Sequence, residues 1–268
     1  MTVRAPVGVF DSGVGGLSVL REIRKELPLE DLIYVADSAY APYGERSIAF
    51  IEQRSAAIAQ FLTTRHAKAI VVACNTATGV AVDMLRSRFA LPIVAMEPAV
   101  KPAASATKSG VVGVLATTQT LSSSRFSRLL AQHSADVEVV LQACPRLVDQ
   151  VERGELSGDA TRALVEEYVR PLLDRGADTI VLGCTHFPFL TEVIQAIAGP
   201  EVSLIDPAVA VARELRRRLQ ADNQLSLDTM PGSEEFWTSG APDAVQQVIS
   251  HLLMRPVVVQ RIADSRSA

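Results

Sequence analysis

Ala67-Lys-Ala-Ile-Val-Val-Ala-Cys74-Asn-Thr76 and Ala177-Asp-Thr-Ile-Val-Leu-Gly-Cys184-Thr-His186 carry one pattern written twice, 110 positions apart. Each is a short apolar run around an Ile-Val pair that ends in a cysteine and then turns polar. A run of this length and composition reads as a strand buried on both faces. Further out, Val7-Gly8-Val9-Phe10 has a counterpart in Val112-Gly113-Val114-Leu115, at an offset of 105. Glu97-Pro98-Ala99-Val100 has one in Asp206-Pro207-Ala208-Val209, at an offset of 109. Three matches in one order at nearly equal offsets point to two copies of an α/β unit of about 100 residues, a common domain size. The period is far longer than that of a solenoid.

The segments between these strands have helical spacing. Leu17, Leu20, Ile23 and Leu27 lie on one face before Pro28 ends the element, and Ile48, Ile51, Ser55, Ile58 and Leu62 mark a second helix. Leu32–Ala36 is a strand between them. Buried strands with crossover helices predict an α/β fold of two pseudo-symmetric parallel-sheet domains related by internal duplication. After Pro207 come a helix through Val209, Val211, Leu215 and Leu219, a polar stretch from Gln220 to Glu235, a short strand Phe236-Trp237-Thr238 with Trp237 in the core, and a last helix through Val245, Val248, Ile249 and Leu252. The second copy therefore reads as an insert. The first domain would comprise residues 1–98 and 207–268, the second 99–206, with Ala263–Ala268 a frayed tail.

Composition narrows the function. The 268 residues are 48% hydrophobic and 21% charged, which excludes general disorder and provides enough core without disulfides or structural metals. No apolar run approaches the roughly 20 residues that span a bilayer, so no membrane partner is expected. Met1–Phe10 lacks the apolar stretch of an export signal, which predicts a cytoplasmic protein. A net charge of −4 argues against nucleic acid as a partner. The one dense basic run, Arg216-Arg217-Arg218, reads as a solvated last helical turn. Three cysteines, Cys74, Cys144 and Cys184, are no disulfide framework.

Ligands of open α/β sheets bind beyond the carboxyl ends of the strands. Those ends carry Asp11-Ser12, Asp37-Ser38, Cys74-Asn75-Thr76, Thr117-Thr118 and Cys184-Thr185-His186. Cys74 and Cys184 stand out, since each ends a strand and precedes small polar residues able to begin a helix. A helix N-terminus favours the thiolate and lowers a thiol pKa. Equivalent positions in two facing halves would put both thiols across one cleft. Such a pair could also form a redox disulfide, or bind a metal with His186. The short Cys-x-x-Cys is absent, however, and Cys-x-His without a second pair is not a zinc pattern, so no metal is expected. Cys144 has no counterpart and reads as packing.

Asp11-Ser-Gly-Val-Gly-Gly16 invites a nucleotide reading, with backbone amides approaching phosphate. Its glycine spacing departs from the dinucleotide fingerprint, and Asp11 would repel a pyrophosphate. The alternative is a carboxylate aimed at a ligand amine or at a thiol whose protonation it assists. In Asp37-Ser-Ala-Tyr-Ala-Pro-Tyr43-Gly44, Pro42 and Gly44 either make an ordinary turn or present Tyr43 and a backbone amide to a ligand.

Together, Asp-Ser-Gly-Val-Gly-Gly, Asp-Ser-x4-Pro-Tyr-Gly, Ala-Cys-Asn-Thr-Ala and Gly-Cys-Thr-His-Phe-Pro closely resemble the glutamate racemases of the cofactor-independent aspartate/glutamate racemase superfamily. The resemblance runs from about Val7 to Gly240. It implies that two α/β domains enclose free glutamate, that one thiolate removes the α-proton, and that the opposite thiol protonates the other face. By that resemblance Cys74 acts on D-glutamate and Cys184 on L-glutamate. Substrate contacts would come from Asp11, Ser12, Tyr43, Gly44, Asn75, Thr76, Thr185 and His186. Asp11 would assist Cys74 and His186 would assist Cys184, with Glu152, Asp37, Thr117 and Thr120 as further contributors. No cofactor is implied. Pyridoxal phosphate is not expected, because none of Lys25, Lys68, Lys101 and Lys108 follows a strand within the motifs. The resemblance further implies a homodimer that supplies D-glutamate for peptidoglycan. An aspartate racemase of the same superfamily and a non-catalytic amino-acid- or nucleotide-binding α/β module are the alternatives.

Overall fold

A computed structural model describes residues 5–133 and 136–262. The first sheet holds β1 (Val7–Asp11), β2 (Leu32–Ala36), β3 (Ala69–Val72) and β4 (Ile93–Ala95). The second holds β5 (Val111–Ala116), β6 (Glu138–Ala143), β7 (Thr179–Leu182) and β8 (Ser203–Ile205). The chain then returns to the first sheet with β9 (Glu234–Thr238) and β10 (Val259–Arg261). Strand orders are β10-β9-β2-β1-β3-β4 and β6-β5-β7-β8, and every described pairing is parallel.

The shared order, with the first strand of each copy between the second and third, is the duplication in three dimensions. Its register agrees residue by residue. Val7 lies opposite Ala69 as Val112 lies opposite Thr179, reproducing the offsets of 105 and 110. Gly8 and Gly113 occupy the same place in their sheets. A Cβ on Gly8 would press on Leu62, and one on Gly113 on Leu172, a leucine 110 positions later. In both copies a helix must pack close against the central strand, and only glycine leaves the room.

The strands read from the sequence in the first sheet are fully buried, as two-sided packing requires. The helix Leu17–Glu26 buries Leu17, Leu20 and Ile23 and ends before Pro28. The helix Ile48–Thr64 is capped by the Ser47 hydroxyl, which accepts from Phe50 N at 3.3 Å. Trp237 is buried on β9, edge-on to Phe61, with the Arg65 guanidinium 3.9 Å above its ring. Arg217 and Arg218 pair with Glu214 on their own helix and Arg216 with Glu26 of the helix Leu17–Glu26, all three guanidinium groups being exposed. The tail expected at Ala263–Ala268 lies outside the described residues. No helix among the described residues is long and apolar enough to cross a membrane.

Candidate active site

The polar loops after β1, β2, β3, β5 and β7 meet between the two sheets. They line a cavity whose walls are Ser12, Tyr43, Gly44, Asn75, Thr76 and Cys74 from one half and Thr117, Cys184, Thr185 and His186 from the other. Pro42 and Val148 complete the wall. Both cysteines and all the expected substrate contacts except Asp11 line the cavity, as does Thr117; Asp11, Asp37, Thr120 and Glu152 lie outside its lining.

Cys74 ends β3 and caps the helix Asn75–Arg88, with Sγ accepting from Ala77 N at 3.4 Å. Its thiol donates to Ser12 Oγ at 3.7 Å, and Ser12 Oγ donates in turn to Asp11 Oδ1 at 3.2 Å. A thiol, a hydroxyl and a carboxylate are thus linked in series. The helix-terminal position was expected to lower this thiol pKa; the structure reverses the sign. Burial pushes the Cys74 thiol well up and the Asp11 charge adds to the effect, outweighing the Ala77 amide. Burial also raises Asp11, against the opposing pull of the His186 charge. A side chain from the other half reaches this carboxylate, since Thr185 Oγ1 donates to Asp11 Oδ2 at 3.3 Å.

Cys184 follows β7 but, contrary to expectation, begins no α-helix. A 3-10 turn, Phe187–Leu190, intervenes before the helix Thr191–Ala198, because Pro188 supplies no amide hydrogen. The thiol faces His186 instead, with Sγ and Nδ1 3.7 Å apart. His186 Nε2 lies 2.7 Å from Glu152 Oε1. Burial pulls the imidazole pKa down, but hydrogen bonds to Cys184 and Glu152 overcome it and hold His186 well above its usual value. Cys184 therefore has a proton carrier beside it. The two thiols share a cavity yet have different helpers.

Asp37 does not reach the cavity. It is fully buried, takes a bidentate pair from Arg54 at 2.9 and 2.7 Å, and accepts the Tyr43 hydroxyl at 2.5 Å. Arg54 was not visible from the sequence, because a lone arginine on an otherwise ordinary helix reads as solvated surface. Thr76, Thr117 and Thr120 form a triangle of hydroxyls at 2.9, 3.2 and 2.9 Å that crosses from one half to the other. Asn75 is buried with neither amide atom partnered among the described residues, a state that costs about 1–3 kcal/mol per group unless a ligand takes it up.

The other readings of these motifs meet obstacles in the geometry. In the glycine-rich turn, Ser12 N and Gly16 N donate to Asp11 and Val14 N to Glu152, so those amides face carboxylates where phosphate binding needs them free. All three cysteines are free, and no three acidic, histidine or cysteine side chains among the described residues converge as metal ligands would. Cys144 is fully buried, with its thiol against Gln142 O and its pKa raised by burial, as inert packing requires.

Residues 8–215 match the sequence profile of the Asp/Glu/hydantoin racemase family. A glutamate racemase of Methylococcus capsulatus is 54% identical over 247 residues, spanning 92% of this chain and 91% of the relative. The crystal structure of a glutamate racemase isoform from Bacillus anthracis superposes with a TM-score of 0.89 at 31% identity, covering 97% of this chain and 98% of the other. That of the Francisella tularensis glutamate racemase in complex with D-glutamate superposes with a TM-score of 0.85 at 30% identity, covering 99% of each. The chain belongs to the Asp/Glu/hydantoin racemase family.

Proposed function

We propose that this chain interconverts L- and D-glutamate by moving a proton at the α-carbon between two thiols, without a cofactor. The observation carrying this reading is the pair Cys74 and Cys184, at equivalent strand ends of two duplicated halves, lining one cavity between them. A reaction that turns a centre into its mirror image calls for matched acid–base groups on opposite sides. From L-glutamate, Cys184 as thiolate takes the α-proton, and Cys74 as thiol delivers its own proton to the opposite face. The free enzyme then has its two protonation states exchanged, and the reverse sequence starts from D-glutamate. The raised Cys74 pKa suits a thiol poised to donate.

General acid–base groups contribute about 10²–10⁴-fold each. The remainder comes from positioning and from donors aimed at the developing carbanion in a site closed to water. Ser12, Tyr43, Gly44, Asn75, Thr76 and Thr185 supply those contacts, Asn75 with both amide atoms. Asp11 serves the Cys74 side and His186 the Cys184 side.

The same proposal covers the division into 1–98 with 207–268 and 99–206, a homodimer, a cytoplasmic location and supply of D-glutamate for peptidoglycan. Circular dichroism tests the activity, with each enantiomer of glutamate and of aspartate and no added cofactor. Decay of the glutamate signal to zero from either side supports the reading. Faster decay with aspartate assigns an aspartate racemase instead. Thermal stabilisation by glutamate without inversion assigns a binding module.

A further inference from the structure

The glycine-rich turn has a feature that catalysis at Cys74 leaves unexplained. Asp11 and Ser12 belong to the Cys74 side, yet Gly13, Val14 and Gly15 face the opposite thiol's helpers. A Cβ on Gly13 would fall 1.8 Å from Glu152 Oε1, and one on Gly15 2.2 Å from His186 Nδ1. Neither glycine has a positive φ, so what each supplies is space and not backbone freedom. Between them, Val14 N donates to Glu152 Oε1 at 2.8 Å, the same oxygen that meets His186 Nε2. Ser18 Oγ, on the helix that follows, donates to Thr185 O at 2.9 Å.

We infer that Gly13, Val14 and Gly15 are positioning residues for the opposite half: their backbone forms a cradle that orients the Glu152–His186 pair toward Cys184, so this proton relay is complete only with the two halves in contact. The inference rests on the racemase reading for its catalytic meaning, but the cradle itself is a statement about geometry. A carboxylate held by one backbone amide and one imidazole has its direction fixed, and the imidazole is thereby aimed through Nδ1 at the thiol. The groups facing His186 are Cys184, Glu152 and, across the cleft, Asp11. Of these, a side chain on Gly13 would displace Glu152. Because Glu152 supports the imidazolium, the His186 pKa falls when that contact is lost.

The test is a double-mutant cycle on Gly13→Ala and Glu152→Gln, read in two ways. One readout is the His186 titration followed by NMR, assigned with a His186→Asn sample. The other is kcat/KM for glutamate. Gly13→Ala is expected to lower the His186 pKa and to reduce kcat/KM about 10²-fold, the usual cost of a misplaced catalytic group. Adding Glu152→Gln should then change little further. Glu152→Asp withdraws the carboxylate by one methylene, so Gly13→Ala/Glu152→Asp should titrate closer to wild type than Glu152→Gln does. That double variant carries the test should Gly13→Ala alone fold poorly. An unchanged His186 titration in folded Gly13→Ala, or losses that multiply in the double variant, overturns the inference. The titration needs no turnover, so its outcome stands apart from that of the racemase reading.

Discussion

Arg54→Met isolates what the buried Asp37 carboxylate does for the cavity. Arg54 gives Asp37 two charge-assisted hydrogen bonds at 2.9 and 2.7 Å, and its guanidinium lies 3.8 Å over the Tyr40 ring. The variant keeps the apolar stem but leaves the fully buried acid with only the Tyr43 hydroxyl. Removing one partner of a buried pair costs about 3–5 kcal/mol. The Arg54 side chain is 20% exposed, so water reaches the rim and the lower end, about 3 kcal/mol, applies. At about 2 °C per kcal/mol for a chain of this size, the melting temperature followed by far-UV circular dichroism should fall by about 6 °C. Tyr43 and Gly44 line the cavity, so KM for glutamate should rise as the released carboxylate shifts them. Arg54→Met/Asp37→Asn removes the orphaned charge and should recover part of the lost stability. A single variant that melts within about 1 °C of wild type, less than about 0.5 kcal/mol, would refute the anchoring role.

Other perturbations test separate parts of the fold. Lys68 and Glu30 form an ion pair at 2.5 Å with side chains 3% and 2% exposed, at the end of β3 away from the cavity. Lys68→Met should cost about 3–5 kcal/mol in chemical denaturation while leaving kcat/KM per folded molecule unchanged. His66 is exposed at φ 59°, where its duplicate Gly176 has φ 83°. His66→Gly should stabilise by about 0.5–1 kcal/mol and Gly176→Ala destabilise by a similar amount, both read from denaturation midpoints. His186 binds its proton more tightly folded than unfolded, so this contribution is full below about pH 6.5 and fades as pH rises through the folded value. The stability gap between wild type and Glu152→Gln should therefore narrow toward alkaline pH; a gap that widened would reverse the sign argued here.

The duplication was legible because the central strands repeat in sequence what the register repeats in space. The edges were not. β6 reads Glu-Val-Val-Leu-Gln-Ala and is only partly buried at the sheet edge, and β4 and β8 are three residues each, too short for a period to show. Likewise, the strand ends pointed to the cavity residues, because a parallel sheet puts its ligand there. What they do to one another depends on partners distant in the chain. Gly13 and Glu152 are 139 residues apart, with β2 to β6 between them, so the turn alone reads as a nucleotide motif or a lone carboxylate. The Cys74 acidity was misjudged for the same reason: a helix terminus is visible in a sequence, but the burial that outweighs it is not.

Turnover of L-glutamate in D₂O, with the α-hydrogen of substrate and product followed by NMR, addresses the two-thiol claim most directly. Early product should carry deuterium at the α-carbon while remaining substrate keeps hydrogen, because the proton is removed by one thiol and replaced by the other. Cys74→Ala and Cys184→Ala should each abolish racemisation. Deuterium entering substrate and product equally from the start, or full activity in either variant, would contradict that claim.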